Sequence, residues 1–133
     1  MTGYVNGREL LEETPARSAA TAGPAFSVVI ADDQDLYRAG LESALKRKLG
    51  CTVLHARTSN ELISALDQNP SVTLMVVDLS LPGLHGPAAL GALRARFPAI
   101  KLVALASTMT RETVLVTLSA GIHGFIPKRS EPA

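Results

Sequence analysis

Aromatic residues are scarce in this 133-residue sequence: tryptophan is absent, and phenylalanine and tyrosine together make up 4%. Because hydrophobic residues still account for 47%, a folded core must consist mainly of aliphatic side chains. Cysteine is nearly absent too. The single Cys51 cannot form an internal disulfide, which fits a reducing compartment. Length and composition together predict one domain with an aliphatic core.

Long apolar runs and an excess of charge of one sign are also missing. No stretch approaches the ~20 apolar residues of a membrane-spanning helix, and the N-terminus lacks the apolar segment of a secretory signal. The formal net charge of +1 favours neither nucleic acid nor an anionic membrane surface as a direct partner. No glycine-rich nucleotide-binding motif is present. We therefore expect a cytoplasmic protein without a membrane partner.

Residues 1–25 differ in character from the rest of the chain. They are rich in small residues, proline and glycine, so they bury too little apolar surface to offset the entropy of ordering. We expect an N-terminal tail or linker here, in which Leu10 and Leu11 could line one or two helical turns. Residues 26–133 are expected to form the folded domain.

Within this domain, five apolar runs alternate with four segments of helical periodicity. The runs are nearly continuous, as expected of strands covered on both faces; they span residues 27–31, 51–56, 74–77, 101–106 and 124–126. The third run lies in the stretch 72–83 and stops at Asp78. Thr58 and Thr110 are placed to cap the second and fourth helices. The first helix is indicated by apolar residues at helical spacing: Leu36, Tyr37, Leu41, Ala44, Leu45 and Leu49. This order predicts parallel strands, right-handed crossovers and a doubly wound α/β sheet.

Three carboxylates and one lysine follow the C-terminal ends of these strands. Asp32 and Asp33 follow the first strand, Asp78 ends the third, and Lys128 follows the fifth. In the flavodoxin-like strand order 2-1-3-4-5, the first and third strands are neighbours, and their tips meet where ligands bind. Each residue alone has a simpler explanation: the acidic pair could cap a helix, Asp78 could start a turn, and Lys128 could be a surface lysine. Their coincidence at one sheet edge favours a site.

The chemistry of such a cluster points to a hard cation. Crowded carboxylates raise each other's pKa unless a positive charge neutralises them. Mg²⁺ suits a site with few protein ligands that leaves room for water and phosphate oxygens. With a lysine on the other side, the pocket is suited to accepting a phosphoryl group on a carboxylate nucleophile.

Residues 26–128 resemble the receiver domain of bacterial two-component response regulators. The shared pattern is an acidic pair after the first strand, an aspartate 45 residues beyond it, a Leu-Pro-Gly, and a lysine 50 residues beyond the aspartate: Asp32, Asp33, Asp78, Leu81–Gly83 and Lys128. Residues 32–41 are similar to the subclass with a LuxR-type helix-turn-helix output domain. The resemblance implies the flavodoxin-like (CheY-like) fold with a five-stranded parallel sheet.

The resemblance also implies a role for each site residue. Asp78 would be the phosphoacceptor, taking a phosphoryl group from a phosphohistidine on a sensor histidine kinase. Asp33 and Asp78 would bind Mg²⁺ directly, with the backbone carbonyl of Ser80, and Asp32 would act mainly through water. Lys128 would pair with Asp78 and then with the phosphoryl oxygens.

A receiver of this kind is a signalling switch and not a metabolic enzyme. It would assist its own phosphorylation and dephosphorylation, and it could form a homodimer. It would control transcription, and reach DNA, only through an output domain that this chain does not contain.

Two features depart from the family pattern, and the first concerns the switch residues. The switch serine or threonine after the fourth strand falls on Ala106, which has no hydroxyl for the phosphoryl group; Ser107 or Thr108 could substitute for it. Phe125 takes the aromatic switch position in the fifth strand. Phosphorylation is therefore expected to occur, with weak coupling to rotation of Phe125.

The end of the chain is the second departure. The resemblance implies a fifth helix after Lys128, but only residues 129–133 follow, so the domain is expected to be truncated after the fifth strand. Without that helix, one sheet face would expose apolar side chains and tend to associate. The segment with Leu10 and Leu11, or another protomer, could cover it.

Two alternatives to the phosphoacceptor interpretation stay open. One is a degenerate receiver that acts as a phosphorylation-independent interaction module, which Ala106 and the missing helix favour. The other is a Mg²⁺-dependent phosphatase with an aspartyl-phosphate intermediate. Phosphatases of the haloacid-dehalogenase type need a second aspartate two residues after the nucleophile, where this chain has Ser80, so the sequence counts against it.

Overall fold

The computed structural model describes residues 26–108 and 110–128, and the predicted tail over residues 1–25 lies outside this range. Five strands and four helices alternate along the described chain. In order they are β1 (Ser27–Ala31), α1 (Asp35–Leu49), β2 (Thr52–Ala56), α2 (Ser59–Gln68), β3 (Val72–Asp78), α3 (Gly86–Arg96), β4 (Lys101–Ala106), α4 (Arg111–Ser119) and β5 (Gly124–Pro127). The predicted element order is confirmed.

The strands form one sheet in the order β2-β1-β3-β4-β5, and every neighbouring pair is parallel. This is the predicted doubly wound flavodoxin-like order. It places the tips of β1 and β3 side by side, since Ala31 pairs with Val77 in register. Because all strands run the same way, the residues that follow them meet at one edge of the sheet.

The core has two layers, one on each face of the sheet. The larger contains the inner sides of α2 and α3, with Leu62, Leu66, Leu90 and Leu93 all buried. The smaller lies under α1, whose Tyr37, Leu41 and Leu45 pack on the buried residues of β1 and β3. Leu36, part of the predicted helical pattern, is instead 90% exposed, because it lies in the first turn of α1 on the side away from the sheet.

The helix boundaries follow the predicted caps. The Thr58 hydroxyl accepts a hydrogen bond from Glu61 N at 3.1 Å, and the Glu61 carboxylate accepts one from Arg57 N at 2.8 Å. The Thr110 hydroxyl accepts from Thr113 N at 3.0 Å. Some strand boundaries differ from the prediction: β2 begins at Thr52, after the buried Cys51, and β5 extends one residue further, to Pro127.

The face predicted to lose its last helix shows no large exposed apolar residue on its described strands. Val76 and Leu105 are buried, at 2% and 0% exposure, and Ile126 is half-buried. Among the described residues, the exposed large apolar side chains all lie on helices α1 and α4. Residues 129–133 and the Leu10–Leu11 segment lie outside the described range, so the predicted truncation and its cover stay predictions.

Within the described part of the chain, no helix is long and apolar enough to span a membrane.

Candidate phosphoacceptor and metal site

Lys128 lies between two buried carboxylates, Asp32 and Asp78, at the C-terminal ends of β1, β3 and β5. Lys128, directly after β5, places Nζ 2.7 Å from Asp32 Oδ2 and 3.2 Å from Asp78 Oδ2. The side chains of Lys128, Asp32 and Asp78 are 6%, 0% and 4% exposed. The sheet order explains the meeting, since β1 and β3 are neighbours and β5 lies two strands from β3. The residues predicted to share one sheet edge therefore do lie together.

Both carboxylates are also held by the backbone of the residues that follow them. Asp32 Oδ1 accepts a hydrogen bond from Gln34 N at 2.8 Å, and Asp78 Oδ1 accepts one from Ser80 N at 3.1 Å. In each case the bond spans two residues, as in an Asx turn. One oxygen of each carboxylate is thereby fixed, and the other faces the lysine.

The charges around Lys128 keep its ammonium group protonated. Burial by itself would lower the pKa of this group, but the close contacts with the negative charges of Asp32 and Asp78 together outweigh burial and raise that pKa. The ring of Tyr37 lies 4.8 Å from the ammonium nitrogen and adds a cation–π contact. Burial raises the pKa of the Tyr37 hydroxyl, so the ring stays neutral beside the ion pair.

The acidic side of the cluster fits a divalent cation. One carboxylate oxygen each from Asp32, Asp33 and Asp78 lies within 4.8 Å of the other two, and Asp33 is exposed. Lys128 balances only one of the three negative charges. Asp32 Oδ2 is buried, and among the described residues its contact with Lys128 is an ion pair without hydrogen-bond geometry. Mg²⁺ prefers oxygen ligands and keeps several of its waters. This cluster offers carboxylate oxygens with two negative charges that Lys128 does not balance, and the exposed Asp33 leaves the site open to solvent.

The loop after Asp78 is fixed by a glycine against α2. Leu81 N donates to the Asp78 carbonyl at 3.0 Å, and Ser59 N donates to the Pro82 carbonyl at 2.8 Å. Gly83 has a φ of +89°, and a Cβ atom there would lie 3.0 Å from the Cβ of Ser59. Both the backbone angle and the close approach favour glycine. The Leu-Pro-Gly sequence therefore sets the path of the chain behind the aspartate.

The tip of β4 carries no hydroxyl inside the pocket. Ala106 is buried at 3% exposure, and its carbonyl accepts a hydrogen bond from Lys128 N at 2.8 Å. Ser107 and Thr108, the two predicted substitutes, are both exposed. Phe125 is half-buried against the larger core layer and pairs with Ala104 in register. Ala106 therefore places a methyl group at the tip of β4, and the switch roles of Ala106, Ser107 and Phe125 stay predictions.

Sequence reasoning missed three residues around the lysine and the acidic pair. Lys128 Nζ donates to Gln34 Oε1, Tyr37 lies under the ammonium group, and Arg38 donates to the Asp32 carbonyl. All three are in or next to the first turn of α1. A helix that starts three residues after Asp32 must carry its first side chains past the site, which is the signal that could have identified them.

The sheet order and the acidic edge define a doubly wound α/β protein with a ligand site at the carboxyl ends of its strands. More specifically, the chain belongs to the response regulator receiver domain family, whose pattern it matches over residues 28–133.

The chain is similar to several curated regulators. It is 29% identical over 106 residues to a glycerol metabolism activator of Pseudomonas putida, covering 79% of this chain and 48% of that protein. It is 35% identical over 105 residues to the response regulator GacA of Pseudomonas protegens, covering 76% and 47%. The chain therefore spans about half the length of the curated relatives it matches.

Solved structures show the same fold. The isolated receiver domain of RcsB from Salmonella enterica matches with a TM-score of 0.72 at 23% identity, covering 79% of this chain and 78% of that one. A LuxR-family response regulator from Aurantimonas matches with a TM-score of 0.69 at 23% identity, covering 81% and 77%. At this level of identity, the two structures show that the fold is shared.

Proposed function

We propose that this chain is a phosphoacceptor receiver that is phosphorylated on Asp78 by a partner histidine kinase in a Mg²⁺-dependent reaction. The observation that carries the proposal is the position of Asp78, a 3% exposed carboxylate with one oxygen on Ser80 N and the other facing Lys128. Burying a carboxylate costs free energy, and a residue that only starts a turn could stay exposed. The burial of Asp78 beside a lysine therefore favours a functional role.

The reaction moves one phosphoryl group between two side chains. The phosphorus–nitrogen bond of a phosphohistidine breaks, and a bond forms between phosphorus and a carboxylate oxygen of Asp78, giving an acyl phosphate. Asp78 Oδ2 faces the pocket, whereas Oδ1 is held by the backbone. A carboxylate oxygen held beside a lysine in this way is the kind of nucleophile that such a transfer needs.

Four further groups would serve this transfer. Asp33 and Asp78, with the Ser80 carbonyl, would hold Mg²⁺, and Asp32 would contact it through water. The cation would neutralise charge that builds on the phosphoryl oxygens. Lys128 would leave the carboxylate pair and bind a phosphoryl oxygen. Its short distances to both acids, 2.7 and 3.2 Å, place it within reach of a group added to Asp78.

The output of the receiver is proposed to be transcriptional. The curated relatives are named as activators and response regulators and are about twice as long as the matched segment. We infer that this receiver, over residues 26–128, acts through a DNA-binding domain and homodimerises when phosphorylated.

A direct test is incubation with Mg²⁺ and a small-molecule phosphodonor, followed by intact-mass measurement. The wild type should gain the mass of one phosphoryl group, and Asp78→Asn should gain none. Omitting Mg²⁺, or replacing Asp33 by Asn, should slow the gain strongly. A wild type that stays unmodified while a bound kinase partner is still captured would favour the second candidate.

That second candidate is a degenerate receiver, and Ala106 favours it. A receiver without a hydroxyl at the tip of β4 has lost one hydrogen bond to a phosphoryl group. It would then act through its surface alone. The phosphatase alternative has no support from the geometry, because Ser80 contacts Asp78 only through its backbone N–H.

A further inference from the structure

Arg38 is a nearly buried arginine that links the acidic site to the outer edge of the sheet. It lies in the first turn of α1, and its side chain is 11% exposed. Its guanidinium group donates to three acceptors: the Asp32 carbonyl at 2.6 Å, Asp35 Oδ1 at 2.6 Å and His55 Nδ1 at 3.1 Å. A rigid planar fork is suited to holding three groups at once in this way.

The contact with the Asp32 carbonyl fixes a particular peptide. Asp32 N donates to the Ala56 carbonyl at 2.9 Å, and its carboxylate is held by Gln34 N and Lys128. Arg38 holds the remaining polar atom of Asp32, its carbonyl oxygen. That oxygen belongs to the Asp32–Asp33 peptide, so Arg38 sets the plane of the peptide that leads into Asp33.

Asp33 depends on this peptide more than the other two acids do. Asp32 and Asp78 are buried and are each held by a backbone N–H and by Lys128, whereas Asp33 is exposed. No described residue donates a hydrogen bond to the Asp33 carboxylate, so the direction of this side chain follows from its backbone. A ligand that is held only through its backbone needs that backbone to be rigid if it is to bind a metal well.

The contact of Arg38 with His55 is part of a longer hydrogen-bond chain that keeps the guanidinium group in place. Since His55 Nδ1 accepts from Arg38, the ring proton lies on Nε2, which donates to Glu42 Oε1 at 3.0 Å. Glu42 also pairs with Lys46 at 3.0 Å. This chain of contacts runs from the surface of α1, across β2, to the backbone of the acidic pair.

We propose that Arg38 is a positioning residue for the metal site: it orients Asp33 through the Asp32–Asp33 peptide and thereby sets the Mg²⁺ affinity of the receiver. The inference rests on the proposed function, because it takes the acidic cluster to be a Mg²⁺ site. The competing explanation is structural, namely that Arg38 only attaches α1 to β2 through His55.

The test is a titration with Mg²⁺ alone, without phosphodonor, followed by tyrosine fluorescence. The chain has two tyrosines and no tryptophan, so a Tyr4→Phe background leaves Tyr37, whose ring lies beside Lys128, as the reporter. Arg38→Met removes all three contacts. His55→Leu and Asp35→Ala each remove one arm of the guanidinium network and leave the carbonyl contact in place. Thermal unfolding without Mg²⁺ is measured for all variants.

We expect Arg38→Met to weaken Mg²⁺ binding by about tenfold, in the range found for groups that orient metal ligands. The two control variants should change the affinity less than about threefold, even where they lower the unfolding temperature as much. Equal losses of affinity in all three variants, or none in Arg38→Met, would overturn the proposal in favour of the structural explanation.

Two further outcomes separate this proposal from the function on which it rests. If Arg38→Met does not fold, Arg38→Lys keeps the charge and the stem but offers one donor centre for three acceptors. It should lose at least about threefold in affinity, and wild-type affinity in that variant would overturn the proposal. A wild type that binds no Mg²⁺ overturns the proposed function and this inference together, whereas a binding wild type with unchanged Arg38 variants overturns this inference alone.

Discussion

The tips of β3 and β4 are adjacent, yet they are built in opposite ways. β3 ends in Asp78, a buried carboxylate with polar contacts on both oxygens. β4 ends in Ala106, which is buried to a similar degree but carries only a methyl group. The two residues lie one strand apart, where a group bound to the first would lie beside the second. Under the proposed function, capture of a phosphoryl group at Asp78 and its detection at Ala106 would therefore be separate properties of this sheet edge.

The largest expected effect comes from removing Lys128, which contacts both buried carboxylates around Asp78. Replacing it by methionine leaves Asp32 and Asp78 buried without a cation, which should lower the free energy of unfolding by about 3–5 kcal/mol. Urea denaturation measures this loss. Because Mg²⁺ would supply the missing positive charge, adding it should restore part of the stability. Lys101→Met, at an exposed position at the start of β4, is the control and should change stability by less than about 0.5 kcal/mol.

The same ion pair predicts a pH dependence. The pKa of Lys128 is raised in the folded protein, so its contribution is fully present below the unfolded value of about 10.4. The contribution is lost as the pH rises through the higher folded value. Wild type and Lys128→Met should therefore differ by a constant amount at neutral pH and converge in alkaline solution. A stability difference that persists unchanged into strong alkali would contradict this assignment.

Ala106→Thr tests the tip of β4, because it adds the hydroxyl that Ala106 lacks. A hydrogen bond to a charged phosphoryl oxygen contributes about 1.5–3 kcal/mol, so phosphorylation-dependent dimerisation should strengthen about tenfold or more. Sedimentation with and without phosphodonor measures the change.

Ala106→Val is the matched control for that variant. It fills the same buried position and has nearly the shape of threonine, but it carries no hydroxyl. Both variants share the cost of overpacking, about 1–3 kcal/mol, so any difference between them reports the hydroxyl alone. Equal dimerisation of the two phosphorylated variants would show that the hydroxyl does not couple the site to assembly.

The smallest effect concerns the loop that carries the chain away from Asp78. Gly83→Ala should cost about 1–2 kcal/mol, because the residue has a φ of +89° and its new Cβ would lie 3.0 Å from Ser59. Gly40→Ala is the contrasting variant. Gly40 lies within α1, and an added Cβ atom would meet nothing within 4 Å, so alanine should stabilise by about 0.5–1 kcal/mol. Thermal unfolding of both variants gives the comparison, and a neutral Gly83→Ala would argue against a fixed loop.

Local sequence was enough to predict the strands and their parallel direction. Each strand is a short run of apolar residues bounded by polar ones, and the alternation with helices forces parallel pairing. The positions of Asp32, Asp78 and Lys128 followed from the same logic, since each directly ends or follows a strand. The caps at Thr58 and Thr110 were equally local, because each capping hydroxyl and the N–H that donates to it lie three residues apart.

Contacts between distant segments were not predictable in this way. Helical spacing placed Leu36 with the apolar residues of α1, but packing leaves it 90% exposed while Tyr37 turns towards Lys128. Periodicity states which residues share a helix face, and only the angle at which the helix meets the sheet decides which of them are buried.

The sequence by itself determined the strands, their parallel direction and the acids and lysine that follow them, because those depend on local apolar runs and on the crossover helices. The strand order was implied by the family resemblance. Only the tertiary structure decided how the site is held. Gln34 and Tyr37 reach Lys128 across more than 90 residues of chain, and Arg38 reaches both Asp32 and His55. Such contacts depend on how α1 packs beside β1, β2 and β5, which no local pattern encodes.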